Sequence, residues 1–99
     1  EKVDGIVEKP KPADAPSNLA VFGRYILSKD IFLNIEQTKP GLNNEIQLTD
    51  AIQGLISNQD VFALEFEGRR FDCGSKEGYI SAIIDRALSI DKYKSIIEK

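Results

Sequence analysis

A short apolar run that ends abruptly in prolines constrains the fold of this chain more than any other stretch. It occupies residues 6–12 and reads Ile-Val-Glu-Lys-Pro-Lys-Pro. Pro10 has no backbone N–H to donate to a sheet ladder, and its ring disfavours helical backbone at Lys9. The run therefore predicts a strand over Val3–Val7, followed by an extended Lys9. One carboxylate, that of Glu8, and one ammonium group then lie side by side at the strand's end.

This charged pair has two interpretations. In one, Glu8 accepts hydrogen bonds from hydroxyl groups of a ligand and Lys9 holds a phosphate. The same pair also fits an exposed ion pair before a proline-rich loop, and such pairs contribute little to stability. The residues alone leave both interpretations open.

Composition narrows the possible functions. The 99 residues amount to one domain or part of one, and 13 basic residues against 16 acidic ones give a net charge of −3. That charge argues against general nucleic-acid binding and against a basic membrane-binding surface. No apolar run approaches the length of about 18 residues typical of a transmembrane helix. Histidine is absent, and the single cysteine, Cys73, excludes an internal disulfide and fits a reducing cytoplasm.

Apolar spacing predicts alternating strands and helices. Asn18–Leu27 is apolar on both faces except at Arg24, as a central strand is, and Gly23 within it indicates close approach by another backbone or a ligand. A short helix follows over Lys29–Gln37, with Ser28 as its N-cap. A second helix runs from Glu45 to Ile56 and is capped by Asn43 or Asn44.

The last third of the chain predicts a hairpin and two further helices. Val61–Glu67 pairs with Arg70–Cys73, a long helix begins after Gly74-Ser75 with a buried stripe over 79–88, and a short helix lies near the end. The predicted fold class is therefore α/β, a small sheet covered by helices.

Asp72 is the second candidate site residue. It ends a predicted strand and precedes a helix, where a carboxylate can hold a hard cation such as Mg²⁺. The alternative is a carboxylate that only caps backbone N–H groups at the helix entry. Its neighbour Cys73 has no histidine to activate it, so we interpret it as a small buried or half-buried residue.

Four motifs, in this order, resemble one family. They are Val7-Glu8-Lys9-Pro10; Pro16–Ala20 with Gly23-Arg24-Tyr25; Pro40-Gly41 followed by Glu45-Ile-Gln-Leu-Thr-Asp-Ala51; and Phe71-Asp72-Cys73-Gly74. Together they resemble the C-terminal part of the bacterial UTP–glucose-1-phosphate uridylyltransferases (UDP-glucose pyrophosphorylases), a branch of the sugar nucleotidyltransferases. The resemblance covers nearly all 99 residues.

The resemblance implies a fold and an activity. The fold is Rossmann-like, and residues 1–99 supply its later strands and C-terminal helices, with the N-terminal nucleotide-binding half absent. The opening residues also read as the interior of a longer chain. The activity is Mg²⁺-dependent formation of UDP-glucose and pyrophosphate from UTP and glucose 1-phosphate. Neither a nucleic acid nor a membrane is expected as a partner. The fragment alone is expected to be inactive, and the parent protein to be cytoplasmic and a homo-oligomer.

The resemblance also assigns residues. Glu8 matches the glutamate that hydrogen-bonds sugar hydroxyls, and Lys9 matches the lysine that holds the sugar phosphate and serves catalysis. Val21 and Gly23 match the segment beside the sugar, where glycine leaves room. Asp72 matches a magnesium ligand whose partner aspartate lies in the N-terminal half.

Three other functions stay open. A thymidylyl- or adenylyltransferase keeps the fold and changes the nucleotide. A non-catalytic sugar-phosphate-binding or regulatory domain keeps the sugar half of the site. An interaction module binds no small ligand.

Overall fold

The computed structural model describes all residues, 1–99, and consists of four α-helices joined by extended segments and turns. The helices are α1 (Ile31–Gln37), α2 (Leu48–Ile56), α3 (Lys76–Leu88) and α4 (Asp91–Ile97). Short 3-10 turns cover Pro12–Asp14 and Leu42–Asn44. The chain divides into two units, residues 1–65 and 66–99. None of the helices combines the length and the hydropathy required to cross a bilayer.

The first unit has a small core between α1 and α2. Its buried side chains are Ile31 of α1 and Ala51, Ile52 and Leu55 of α2. The three from α2 recur at helical spacing and lie on one face of that helix. The two helices also approach closely at Gly54, where a Cβ would lie 2.9 Å from Nδ2 of Asn34. Asn34 Nδ2 donates to the carbonyl of Ala51 at 3.1 Å, so one polar side chain fixes the register of the pair.

The predicted strands do not form, so the mixed α/β prediction is not confirmed within this chain. The only β-bridge pairs Lys2 with Phe62 in antiparallel sense. Two backbone bonds of 2.8 Å, from Val3 N–H to the Val61 carbonyl and from Ala63 N–H to the Glu1 carbonyl, flank it. Lys2 also pairs with Asp60 at 2.7 Å, and that carboxylate raises the pKa of Lys2 above its ordinary value by a hydrogen bond and by charge attraction.

The segment 18–27, predicted as a central strand, forms no strand, and all of its residues except Leu27 are exposed. Leu19 is 53% exposed, Val21 57% and Ile26 101%. The hairpin predicted from Val61–Glu67 and Arg70–Cys73 is also wrong, since neither run is a strand. The apolar pattern of a segment indicates that it would be buried as a strand. The strand itself forms only where a neighbouring segment provides partners for its backbone hydrogen bonds.

Helix starts also differ from the prediction. Helix α1 begins at Ile31, and the hydroxyl of Ser28 accepts a bond of 2.8 Å from the Gln59 side chain instead of capping the helix. Asn43 and Asn44 do not cap α2. They have φ of 57° and 58°, and the N–H of Glu45 reaches the carbonyl of Leu42. Asparagine tolerates this left-handed backbone, so the pair makes a tight turn that delays α2 to Leu48.

The second unit contains α3 and α4, which pack against each other. Both helices were predicted, and the N-cap of α3 is Ser75, whose hydroxyl accepts from the N–H of Gly78 at 3.0 Å. The predicted buried stripe of α3 is wrong, because Tyr79 is 56% exposed and Ile83 49%. These side chains line an open apolar groove of about 620 Å³ between the two helices.

Candidate functional site

Glu8 and Lys9 lie at a sharp change of chain direction. Lys9 has φ of +40°, so the predicted extended conformation is wrong. Left-handed backbone costs roughly 1–2 kcal/mol for a residue with a Cβ. Pro10 restricts the backbone on one side of Lys9, and α2 holds the segment on the other side, so Lys9 absorbs the turn. The Glu8 side chain is half-buried, whereas Lys9 is exposed.

Two side chains of α2 hydrogen-bond to the segment that carries Glu8. Thr49 Oγ1 donates to Oε2 of Glu8 at 2.5 Å, and Oε1 of Gln53 accepts from the N–H of Ile6 at 2.8 Å. The carboxylate of Glu8 is thereby placed beside the first turn of α2, where the helix dipole favours negative charge. One carboxylate oxygen is bonded, and the lone pairs of the other can accept from a ligand.

Thr49 and Gln53 were not predicted as site residues. The sequence carries one weak signal for them, since they are four residues apart and lie on the same face of α2. Spacing places them on one face but does not name their partner, because Glu8 is 41 positions before Thr49.

Val21 and Gly23 lie on the exposed segment 18–27. Val21 is 57% exposed, and Gly23 has φ of +93°. A Cβ at Gly23 would meet no atom within 4 Å, so backbone conformation, and not close approach within this chain, requires glycine there.

Asp72 is held by its own backbone neighbours. Its Oδ1 accepts from the N–H of Gly74 at 3.0 Å, its Oδ2 lies 4.0 Å from Nη2 of Arg70, and its side chain is 71% exposed. A Cβ on Gly78 would lie 1.8 Å from the carbonyl oxygen of Asp72, so glycine is required for α3 to start so close. The neighbouring Cys73 is exposed, and its predicted burial is wrong.

The arrangement of the Asp72 carboxylate is compatible with one ligand to a magnesium ion. The chain brings together no group of three or more acidic, histidine or cysteine side chains that could hold a metal. Mg²⁺ is usually held by only one or two protein carboxylates and completes its shell with water and phosphate. An exposed Asp72 carboxylate with an oxygen free of backbone bonds is compatible with that use.

Comparison with known proteins places the chain in a family. Residues 1–87 match the nucleotidyl transferase family. The chain belongs to the nucleotidyl transferases. Among relatives in this family, it is 59% identical over 81 residues to a UTP–glucose-1-phosphate uridylyltransferase of Pseudomonas aeruginosa, covering 82% of this chain and 29% of that protein. It is 51% identical over 92 residues to UTP–glucose-1-phosphate uridylyltransferase 2 of Streptococcus pyogenes serotype M3, covering 93% and 31%.

A solved nucleotidyl transferase structure has a similar backbone. It is a UDP-glucose pyrophosphorylase in complex with UDP-glucose, with a TM-score of 0.83 and 50% identity over 90% of this chain. The match covers 34% of that structure. The chain therefore spans about a third of the length of the nucleotidyl transferases that it matches, and the family assignment made from the four motifs is confirmed.

Proposed function

We propose that this chain is the C-terminal, sugar-phosphate-binding part of a uridylyltransferase that forms UDP-glucose and pyrophosphate from UTP and glucose 1-phosphate. The observation that supports it most is the 59% identity to a protein of that name, together with the adjacent Glu8 and Lys9 held by α2. In this reaction, a phosphate oxygen of the sugar phosphate bonds to the α-phosphorus of UTP. The bond from that phosphorus to the bridging oxygen breaks, and pyrophosphate leaves.

The residues of the chain have electrostatic and positioning roles in this proposal. Two polyanions have to approach each other, so fixed cations are needed to offset their repulsion. The exposed ammonium group of Lys9 holds the phosphate of glucose 1-phosphate. The carboxylate of Glu8 accepts hydrogen bonds from sugar hydroxyls, and the segment carrying Val21 and Gly23 lies along the sugar.

Asp72 provides one magnesium ligand in this proposal. A bound Mg²⁺ supplies charge neutralisation at the phosphates. Asp72 contributes an exposed carboxylate whose Oδ1 is already oriented by the N–H of Gly74, and its Oδ2 holds the ion in place of the distant contact with Arg70. The second protein ligand belongs to the part of the parent protein that these 99 residues do not include.

The chain spans only about a third of its relatives' length, and this bears on what it does alone. We propose that the nucleotide-binding residues and the strands that would flank segment 18–27 lie in the other two thirds of the parent protein. In that protein the extended segments become strands of an α/β sheet, and the parent is a cytoplasmic homo-oligomer. The 99-residue chain alone therefore catalyses no transfer.

The test is pyrophosphate release by the longest native polypeptide that contains this chain. Glucose 1-phosphate is offered with UTP, dTTP or ATP, with Mg²⁺ and with EDTA. We expect release with UTP that stops in EDTA. Release with dTTP or ATP in preference to UTP would indicate a thymidylyl- or adenylyltransferase. Glucose 1-phosphate binding without release from any nucleotide would indicate a non-catalytic domain and overturn the proposal.

A further inference from the structure

One face of α2 binds the segment that carries the candidate site. Thr49 and Gln53 are one helical turn apart, and they contact Glu8 and Ile6 respectively. One bond fixes a side chain and the other fixes the backbone two residues earlier. The segment is thus attached to α2 at two points immediately before the turn at Lys9.

We propose that Thr49 is a positioning residue that orients the Glu8 carboxylate toward the sugar. This inference rests on the proposed function, which gives Glu8 a role and leaves Thr49 without one. The hydroxyl of Thr49 donates to Oε2 of Glu8, and so Oε1 keeps its lone pairs for a hydroxyl of the substrate.

Orientation matters here because a free glutamate side chain is flexible. Glutamate loses considerable rotamer freedom when it is ordered, and that loss weakens binding if it occurs only when the ligand arrives. The charge-assisted bond from Thr49 is made when the protein folds. The Glu8 side chain is therefore ordered before the sugar phosphate binds, and binding does not carry this entropy loss. Gln53 supports the same geometry, since its bond to the N–H of Ile6 prevents the backbone below Glu8 from shifting.

Thr49 should affect recognition of the two substrates differently. Removing the Thr49 hydroxyl should weaken recognition of the sugar and leave recognition of UTP unchanged. A threonine that only stabilised the start of α2 would affect both substrates alike, because its loss would loosen the whole helix.

The experiment measures the steady-state kinetics of the longest native polypeptide that contains this chain, as wild type and as Thr49→Val and Thr49→Ser. The valine is nearly isosteric and lacks the donor, whereas the serine retains it. The matched control is Thr38→Val, which removes a hydroxyl that donates to the carbonyl of Asn34 at 2.6 Å at the end of α1.

For Thr49→Val, we expect kcat/KM for glucose 1-phosphate to fall about tenfold, the loss typical of one hydrogen bond to a charged group. This fall should come from a rise in KM for glucose 1-phosphate, whereas KM for UTP should stay within about twofold of wild type. Thr49→Ser and Thr38→Val should both stay within about twofold. If valine disturbs the helix, Thr49→Ala repeats the test with a better helix former.

Two results would overturn the inference alone. One is equal weakening of both substrates in Thr49→Val. The other is kinetics no different from those of Thr38→Val while the wild-type protein releases pyrophosphate. Absence of release by the wild-type protein would instead overturn the proposed function, and this inference with it.

Discussion

At the scale of single residues, Asp72 combines a fixed position with an open carboxylate. Gly74 N–H binds its Oδ1, while 71% of the side chain remains exposed. The motif Phe71–Gly74 was sufficient to select Asp72 from sequence, although it did not distinguish a metal ligand from a carboxylate that orders its own loop. The structure shows that Oδ1 accepts from the N–H of Gly74, as the second role requires, and we propose that Oδ2 is the oxygen that holds the metal.

Replacing Asp72 by asparagine separates these roles. Asp72→Asn retains an oxygen for the N–H of Gly74 and removes the charge. Two unit charges 4 Å apart near a protein surface interact by about 4 kcal/mol. We therefore expect the Mg²⁺ concentration for half-maximal pyrophosphate release by the parent protein to rise about tenfold or more, as measured by magnesium titration of the rate.

The control is Asp91→Asn, which removes an exposed carboxylate from the first turn of α4 in the same unit. It should leave the magnesium dependence unchanged. An unchanged magnesium dependence in Asp72→Asn as well would assign Asp72 to the loop alone.

At the scale of elements, the sequence predicted which segments are helical better than where each helix begins. Periodic apolar residues gave all four helices, and Ser75 correctly marked the start of α3. The start of α2 was wrong because Asn43 and Asn44 adopt left-handed backbone, a choice that cap preference does not reveal. The Thr49–Glu8 bond was not predictable either, since it depends on how α2 packs against a distant segment.

Gly78 gives a prediction whose sign depends on packing. By helix propensity alone, Gly78→Ala near the start of α3 would stabilise the protein by up to about 1 kcal/mol. The new Cβ would lie 1.8 Å from the backbone oxygen of Asp72, which no side-chain movement relieves. We therefore expect destabilisation, seen as a lower thermal unfolding midpoint of the parent protein.

Ser81→Ala, at an exposed position of α3, serves as the control for this change. It adds helix propensity without a clash, so its midpoint should stay level or rise slightly. A higher midpoint for Gly78→Ala than for wild type would show that α3 does not start this close to Asp72 in the parent protein.

The extended segment 18–27 gives the second prediction at this scale. It is apolar on both faces and exposed in this chain, and we propose that it is a strand in the parent protein. Hydrogen exchange measured by mass spectrometry should show its amides protected in the parent and freely exchanging in the 99-residue chain. The segment 9–17, which contains no strand and only the short 3-10 turn Pro12–Asp14, is the internal reference, and we expect its exchange to be alike in the two proteins. Equal exchange of segment 18–27 in the two proteins would contradict the strand proposal.

At the scale of the whole molecule, four side chains are buried and 22 large apolar side chains are exposed. The chain spans about a third of the length of its relatives, and we propose that much of the surroundings that its sequence pattern requires lies in the rest of the parent protein. This explains why the sequence predicted the family and the helices but predicted strands that the chain does not form. Burial, unlike helical periodicity, depends on neighbours supplied by the rest of the protein.

The central claim is that this chain binds the sugar phosphate through the turn at Lys9. The most direct measurement compares pyrophosphate release from UTP and glucose 1-phosphate by the parent protein as wild type, Lys9→Ala and Lys11→Ala. Both lysines are exposed and lie two residues apart, so the pair is matched in charge and location. We expect kcat/KM for Lys9→Ala to fall about 30-fold or more, since a charged phosphate contact contributes roughly 2 kcal/mol, and Lys11→Ala to stay within about twofold. Equal rates for the two variants would contradict the account.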